Sequence, residues 1–185
     1  MKGRLPSAAA MWQLRPMDTS ETISQFAKML KNLDRWLEAG SAFAEKKKLE
    51  PDVLPQSRLA PDQYALVRQV QSACDTAKFA AAYMSGQKAP AHPDTEKTID
   101  ELRARIRTCL QYVESVKPSQ YAGAADRRVV PPWLPGKWLR GADYLTQIAV
   151  PNFYFHVTTA YAVLRHNGVE LGKMDFIGSM PLQDG

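Results

Sequence analysis

The stretch that decides the fold is PNFYFHVTTAYAVLRHNG, residues 151–168, which carries two of the three histidines. Its composition predicts a long helix with apolar residues on most faces, and such a helix packs inside a bundle rather than on a surface. The helix also takes polar side chains inside, and buried polar groups need partners or a function. These side chains are Asn152, His156, Thr158 and Thr159. We therefore look for a functional site here.

Two earlier segments have apolar residues at the three-four spacing of amphipathic helices. The first begins at Asp18, which forms a capping-box pattern with Glu21, and continues to about Lys48. The second has Pro61 in its first turn and Gly86 just after its end. Proline suits the first turn of a helix, and glycine suits the position that follows the last turn.

A third helix is predicted with Asp94 or Thr95 as its cap, and Pro118 ends it. Beyond it, residues 127–130 and 137–139 flank the sequence PPWLPG and predict a small hairpin, which its prolines confine to an edge position. The fourth helix contains the opening stretch and runs from about residue 142 to 166. Pro151 lies within it and should kink it, because a backbone hydrogen bond is lost.

Four helices with one hairpin predict an all-α four-helix bundle. We expect three parts in the chain: a flexible N-terminal tail (1–17), the bundle (18–178) and a C-terminal tail (179–185).

Composition limits the partners of the protein. The chain has 185 residues, 23% of them charged and 45% hydrophobic, which is ordinary for a globular domain. No apolar run reaches the roughly 18 residues of a membrane span, and the apolar N-terminal stretch is too short for a secretory signal. Of the net charge of +5, the N-terminal tail contributes a large share, and no basic groove with stacking aromatic residues is evident. We predict a cytoplasmic protein that binds neither nucleic acid nor membrane.

Several catalytic signatures are missing from the sequence. It has no phosphate-binding glycine loop, no G-x-S-x-G nucleophile elbow and no H-E-x-x-H metal motif. The two cysteines, Cys74 and Cys109, lie in separate helices and are interpreted as buried free thiols.

The strongest candidate site centres on Asn152 and His156, which are four residues apart and share a helix face. On the second helix, Asp75 is placed to approach His156, where a carboxylate would orient the imidazole as a base. The alternatives are equally simple: His156 as a hydrogen-bonded core residue, and Asn152 as a partner for backbone freed by the proline. His92, between prolines, is interpreted as exposed. Trp133 either covers a pocket or anchors the hairpin.

Three segments resemble an uncharacterised bacterial family in the DinB/YfiT-like superfamily of four-helix bundles. They are RLAPDQYALVRQVQSACDTAKFAAAYMSG, PDTEKTIDELRARI and, most specifically, PNFYFHVTTAYAVLRHNGVELGKMDF. The resemblance implies a homodimer. It also implies the ancestry of a metalloenzyme, since typical superfamily members bind nickel or zinc through three histidines.

Carried onto this chain, the resemblance places the three ligand positions at Gln71, Asn152 and His156. One imidazole and two amides would bind a divalent ion far more weakly than three imidazoles. We therefore expect a degenerate metal site and no cofactor, with nickel or zinc as the alternative.

The leading hypothesis is a small-molecule pocket. In it, Asn152 and His156 supply polar contacts, Asp75 orients the imidazole of His156, and Gln71 donates or accepts hydrogen bonds. The first alternative is a metal-dependent transferase or hydrolase that uses His156 and Asp75 as catalytic residues. The second is a structural dimerisation module without a pocket.

Overall fold

The computed structural model describes residues 18–183, so the N-terminal tail predicted for residues 1–17 lies outside the described residues. The protein is mostly helical, as predicted. Six α-helices follow one another along the described chain: α1 (Thr19–Lys47), α2 (Leu66–Ser85), α3 (Ile99–Ser115), α4 (Gly141–Tyr144), α5 (Val150–His166) and α6 (Lys173–Ile177). The helices α1, α2, α3 and α5 form the four-helix bundle.

Helix α1 begins where the capping pattern predicts. The carboxylate of Asp18 accepts hydrogen bonds from the backbone N–H groups of Ser20 and Glu21. These bonds satisfy amides that the first turn of a helix leaves without partners. The helix ends at Lys47, one residue from the predicted end.

The starts of α2 and α3 differ from the predictions. Helix α2 begins at Leu66, and Pro61 lies in the turn before it. Helix α3 is capped by Thr98 rather than by Asp94 or Thr95, because Thr98 and Glu101 form a reciprocal capping box. The carboxylate of Asp94 is instead engaged by arginine side chains.

The predicted hairpin is present between α3 and α4. Strands β1 (Arg128–Val129) and β2 (Leu139–Arg140) pair antiparallel, with Arg128 opposite Arg140 and Val129 opposite Leu139. The loop between the strands carries Trp133 over the bundle.

The final helical segment is continuous but irregular. A π-helical turn, Leu145–Ala149, joins α4 to α5 directly before Pro151. The backbone N–H of Val150 bonds to the carbonyl of Leu145, five residues back. A widened turn of this kind accommodates the loss of the backbone hydrogen bond that a proline cannot donate. Where the sequence predicted a kink at Pro151, the structure has a π turn just before the proline.

The core lies between α5 and the other three long helices. Phe153 is fully buried and stacks on Phe26 of α1, with ring centroids 4.2 Å apart. The short helix α6 covers Trp36, whose indole N–H donates to the carbonyl of Asp175 and whose ring stacks on Phe176. Residues 173–177 thus form a helix that closes one side of the bundle.

None of the helices in residues 18–183 combines the length and the apolar character that crossing a membrane requires.

Candidate functional site

A cleft of about 330 Å³ lies between α2, α5 and the hairpin loop. The two helices run antiparallel here, since Gln69 contacts His156 while Thr76, two turns later on α2, contacts Asn152. Polar side chains line the middle of the cleft and aromatic rings line part of its wall. The lining residues are Arg68, Ser72, Asp75, Thr76, Phe79, Trp133, Ile148, Asn152 and His156.

His156 is buried, and its imidazole is held in one orientation. Its Nδ1 lies 2.8 Å from Oε1 of Gln69. The amide nitrogen of Gln69 donates to the backbone carbonyl of Tyr64, so the oxygen of Gln69 must face the ring. Because an amide oxygen only accepts, Nδ1 of His156 carries the hydrogen and Nε2 keeps a lone pair.

The second nitrogen of this imidazole is available to a ligand. Within residues 18–183, Nε2 of His156 makes no hydrogen bond, and it is not fully buried. Burial, together with the positive charge of Arg68, lowers the pKa of His156 to about 4. The imidazole is therefore neutral at physiological pH and presents a hydrogen-bond acceptor.

Asn152 presents a second acceptor one helical turn away. Its amide nitrogen donates to Oγ1 of Thr76 over 2.7 Å, and the Thr76 hydroxyl in turn donates to the carbonyl of Ser72. Since the threonine hydrogen is already used, Asn152 must be the donor and its oxygen is left free. The side chain is exposed. Asn152 thus forms its hydrogen bond with a side chain of α2 rather than with the backbone around Pro151.

Asp75 lines the cleft but does not orient His156. Gln69 takes that role, and one oxygen of Asp75 instead binds Lys78 Nζ at 2.7 Å and Arg105 Nη2 at 2.8 Å. Both cations are buried, with side chains 3% exposed. The predicted contact between Asp75 and the imidazole is therefore absent from the described structure.

Gln71 does not face the cleft. It is buried on another side of α2, where its amide nitrogen donates to Glu96 at 2.8 Å. Glu96 also pairs with Arg105. The structure therefore brings together Asn152, His156 and Asp75 but not Gln71, and Ser72 lies in the cleft instead.

Two residues to which the sequence analysis gave no role shape the site. Gln69 is fully buried on the same line of α2 as Leu66, Ala73 and Ala77, and a polar residue in that apolar line was the signal. Arg68 is half-exposed, packs over the Tyr64 ring and pairs with Asp94 through one nitrogen. Its remaining N–H groups have no partner in the described part of the chain.

Other candidates fall outside the cleft. His92 is half-buried rather than exposed, and burial together with the nearby Lys78 and Arg105 lowers its pKa. Cys74 and Cys109 are buried and reduced, and the thiol of Cys109 donates to the carbonyl of Cys74. Trp133 reaches the cleft while remaining 58% exposed, which is the covering position that the sequence left open.

A larger groove, of about 540 Å³, lies between α1 and the end of α3. Apolar, polar and charged residues line it, and among the charged ones Lys31 pairs with Glu114 on the surface. It contains the buried Asn32, whose amide nitrogen donates to the carbonyl of Phe176, but none of the site residues that the sequence predicts. We therefore place the candidate site in the cleft.

The cleft does not fit a nickel or zinc ion. Among the three implied ligand positions only His156 offers an imidazole, Asn152 offers a neutral amide oxygen, and Gln71 faces elsewhere. Within residues 18–183 no three His, Cys, Asp or Glu side chains group as they would around a metal. The positive charge of Arg68 beside His156 further disfavours a divalent metal ion, which brings no carboxylate of its own to pair with Arg68.

Comparison with known proteins agrees with the fold. Residues 19–177 match the model of a domain of unknown function, DUF1993. The chain is also 49% identical to a DinB family member protein from Shewanella denitrificans whose crystal structure is known. That structure superposes with a TM-score of 0.86, and the match covers 90% of this chain and 95% of that one. Among curated proteins, none matches the chain significantly. The chain therefore belongs to the DUF1993 family, and its architecture is that of a DinB-like helical bundle.

Proposed function

We propose that this protein binds a small polar molecule in the cleft between α2 and α5, without a metal ion. The observation that carries the proposal is the pair of fixed acceptors, His156 Nε2 and Asn152 Oδ1. Each is oriented by a hydrogen bond from its other side, through Gln69 and Thr76 respectively. Acceptors whose orientation is fixed before binding lose little entropy when a ligand arrives.

A second argument is the shape of the site. A few convergent polar groups beside aromatic and aliphatic walls are typical of small-molecule pockets. Here the walls are supplied by Phe79, Ile148 and Trp133. Asp75 is engaged by two buried cations, so in this proposal it shapes the wall of the cleft rather than acting as a base.

The test is a screen of small polar fragments against the ¹⁵N-labelled full chain, observed as amide chemical-shift changes. Fragments should shift amides of α2 and α5 around the cleft. Asn152→Ala should weaken the binding of the fragments, while Thr158→Ala, at an exposed position of the same helix, should leave their binding unchanged. Shifts that map only to the groove beside α1 would contradict the proposal.

The metal-dependent enzyme is the rival hypothesis, and one observation favours it. A histidine whose Nδ1–H is held by an acceptor, with Nε2 left free, is also how proteins orient metal ligands. Elemental analysis of protein made without an affinity tag separates the two. About one nickel or zinc per chain would overturn the metal-free proposal.

The structural dimerisation module predicts that no fragment enters the cleft and that folding depends on protein concentration. Homodimer formation and cytoplasmic location both stay predictions. Sedimentation velocity on the full chain tests the first, and it is independent of the fragment screen.

A further inference from the structure

We infer that the ligand of the cleft is an α-amino acid with an apolar side chain, an inference that rests on the proposed function. The polar and apolar groups of the cleft follow one another along α2 in the same order as the groups of such a molecule. Arg68 lies at one end, the two fixed acceptors lie level with Gln69 and Thr76, and Phe79 with Ile148 lies at the other end.

The carboxylate position is set by Arg68. The Tyr64 ring and Asp94 hold its guanidinium, and Asp94 uses only one of its nitrogens. A guanidinium with free N–H groups is the best protein partner for a carboxylate, because two parallel hydrogen bonds form. Lys78 and Arg105, the other cations nearby, already share one oxygen of Asp75.

The ammonium position is set by the acceptor pair. Side chains four residues apart on a helix lie about 5–6 Å apart at Cβ. One ammonium between Asn152 Oδ1 and His156 Nε2 can therefore donate to both. Neither Asn152 Oδ1 nor His156 Nε2 carries a hydrogen. The ligand group between them must therefore be a hydrogen-bond donor, such as a hydroxyl or an amine, and a group that only accepts hydrogen bonds does not bind there.

The side chain then extends along the cleft. From Thr76, which holds Asn152, to Phe79 is three residues of α2, or roughly 4.5 Å along the helix axis. Beyond the polar middle, the walls are the ring of Phe79 and the aliphatic chain of Ile148, with Trp133 above. An aromatic or branched aliphatic side chain fills this space, whereas a charged one would lose its hydration without gaining a partner.

The experiment titrates the ¹⁵N-labelled full chain with three probes: L-phenylalanine, phenethylamine, which lacks the carboxylate, and 3-phenylpropionate, which lacks the ammonium. L-phenylalanine should shift amides around the cleft. Each truncated probe should bind about tenfold more weakly or worse, since a charge-assisted hydrogen bond is lost. Equal affinity of all three probes would overturn the inference.

A variant series assigns the carboxylate end. Arg68→Met should abolish the preference for L-phenylalanine over phenethylamine, while Arg107→Met, an exposed arginine on α3, should preserve it. A preference that survives Arg68→Met would overturn the assignment. The comparison of the three probes on the wild-type protein does not depend on the variants, so the inference can still be tested if Arg68→Met folds poorly. If polar fragments enter the cleft but L-phenylalanine does not, the ligand class is wrong and the proposed function stands. If nothing enters, both are wrong.

Discussion

The protonation of His156 should make the protein less stable in mild acid. Burial, the larger cause, and the nearby Arg68 lower the pKa of His156 from 6.5 to about 4. Between these two values the unfolded chain binds a proton that the folded chain does not. Stability from this residue is therefore complete above pH 6.5, falls as the pH decreases, and levels off below about 4.

The size of the effect follows from the shift. One pKa unit corresponds to about 1.4 kcal/mol, so acidification from about pH 7 to about pH 4.5 should cost about 2 kcal/mol through this residue. Carboxylates also titrate in this range, so the wild type must be compared with a variant. His156→Gln keeps an amide donor for Gln69 but removes the titrating ring. His166→Gln, at an exposed position of α5, is the matched control for loss of an imidazole.

Urea unfolding of the three proteins at several pH values measures the effect. The free energy of unfolding of the wild type should fall by about 2 kcal/mol more than that of His156→Gln over this range. NMR of the imidazole nitrogens gives an independent answer, since it reports both the pKa and the position of the hydrogen. Titration near 6.5, or a hydrogen on Nε2, would refute the assignment of His156 as a fixed neutral acceptor.

Three substitutions test the architecture by chemical denaturation. Asp75→Asn should destabilise the protein by about 3 kcal/mol, because two buried cations lose their shared charge; an unchanged stability would argue for a free carboxylate. Gly141→Ala should cost about 3 kcal/mol, because a Cβ there collides with a backbone carbonyl, whereas Gly172→Ala has room and should cost little. Thr98→Ala should cost about 1 kcal/mol through the lost capping box, and the exposed Thr108→Ala, which caps nothing, should cost less. Equal losses within either pair would contradict these roles.

The fold was predictable because apolar periodicity determines which face of each helix is buried. The bundle and the hairpin follow from this spacing and from the turn residues, whereas for the final helix Pro151 predicted a kink and the structure has a π turn. Helix starts were less predictable, since Asp94 and Thr98 are both good caps. Only the tertiary contacts of Asp94 with two arginines leave Thr98 as the cap.

The site was predictable on one helix but not across two. The shared face of Asn152 and His156 is a property of a single helix and needs no knowledge of packing. Which residues of α2 meet that face depends on how far one helix is shifted along the other, and periodicity does not define that shift to a single residue. Gln69 therefore replaces Asp75 as the partner of the imidazole, and Ser72 rather than Gln71 faces the cleft.

Arg68 is the residue that distinguishes the proposed carboxylate-binding cleft from the metal site that the rival hypothesis requires. The Gln69 hydrogen bond suits His156 to either role, but a guanidinium close enough to lower the pKa of His156 repels a divalent cation and attracts a carboxylate. Arg68→Met should therefore raise the pKa of His156 above about 4 but leave it below 6.5, because burial, the larger cause, remains. The same NMR titration measures this. An unchanged pKa would mean that the charge of Arg68 does not reach the imidazole, and the carboxylate would then have to be bound elsewhere.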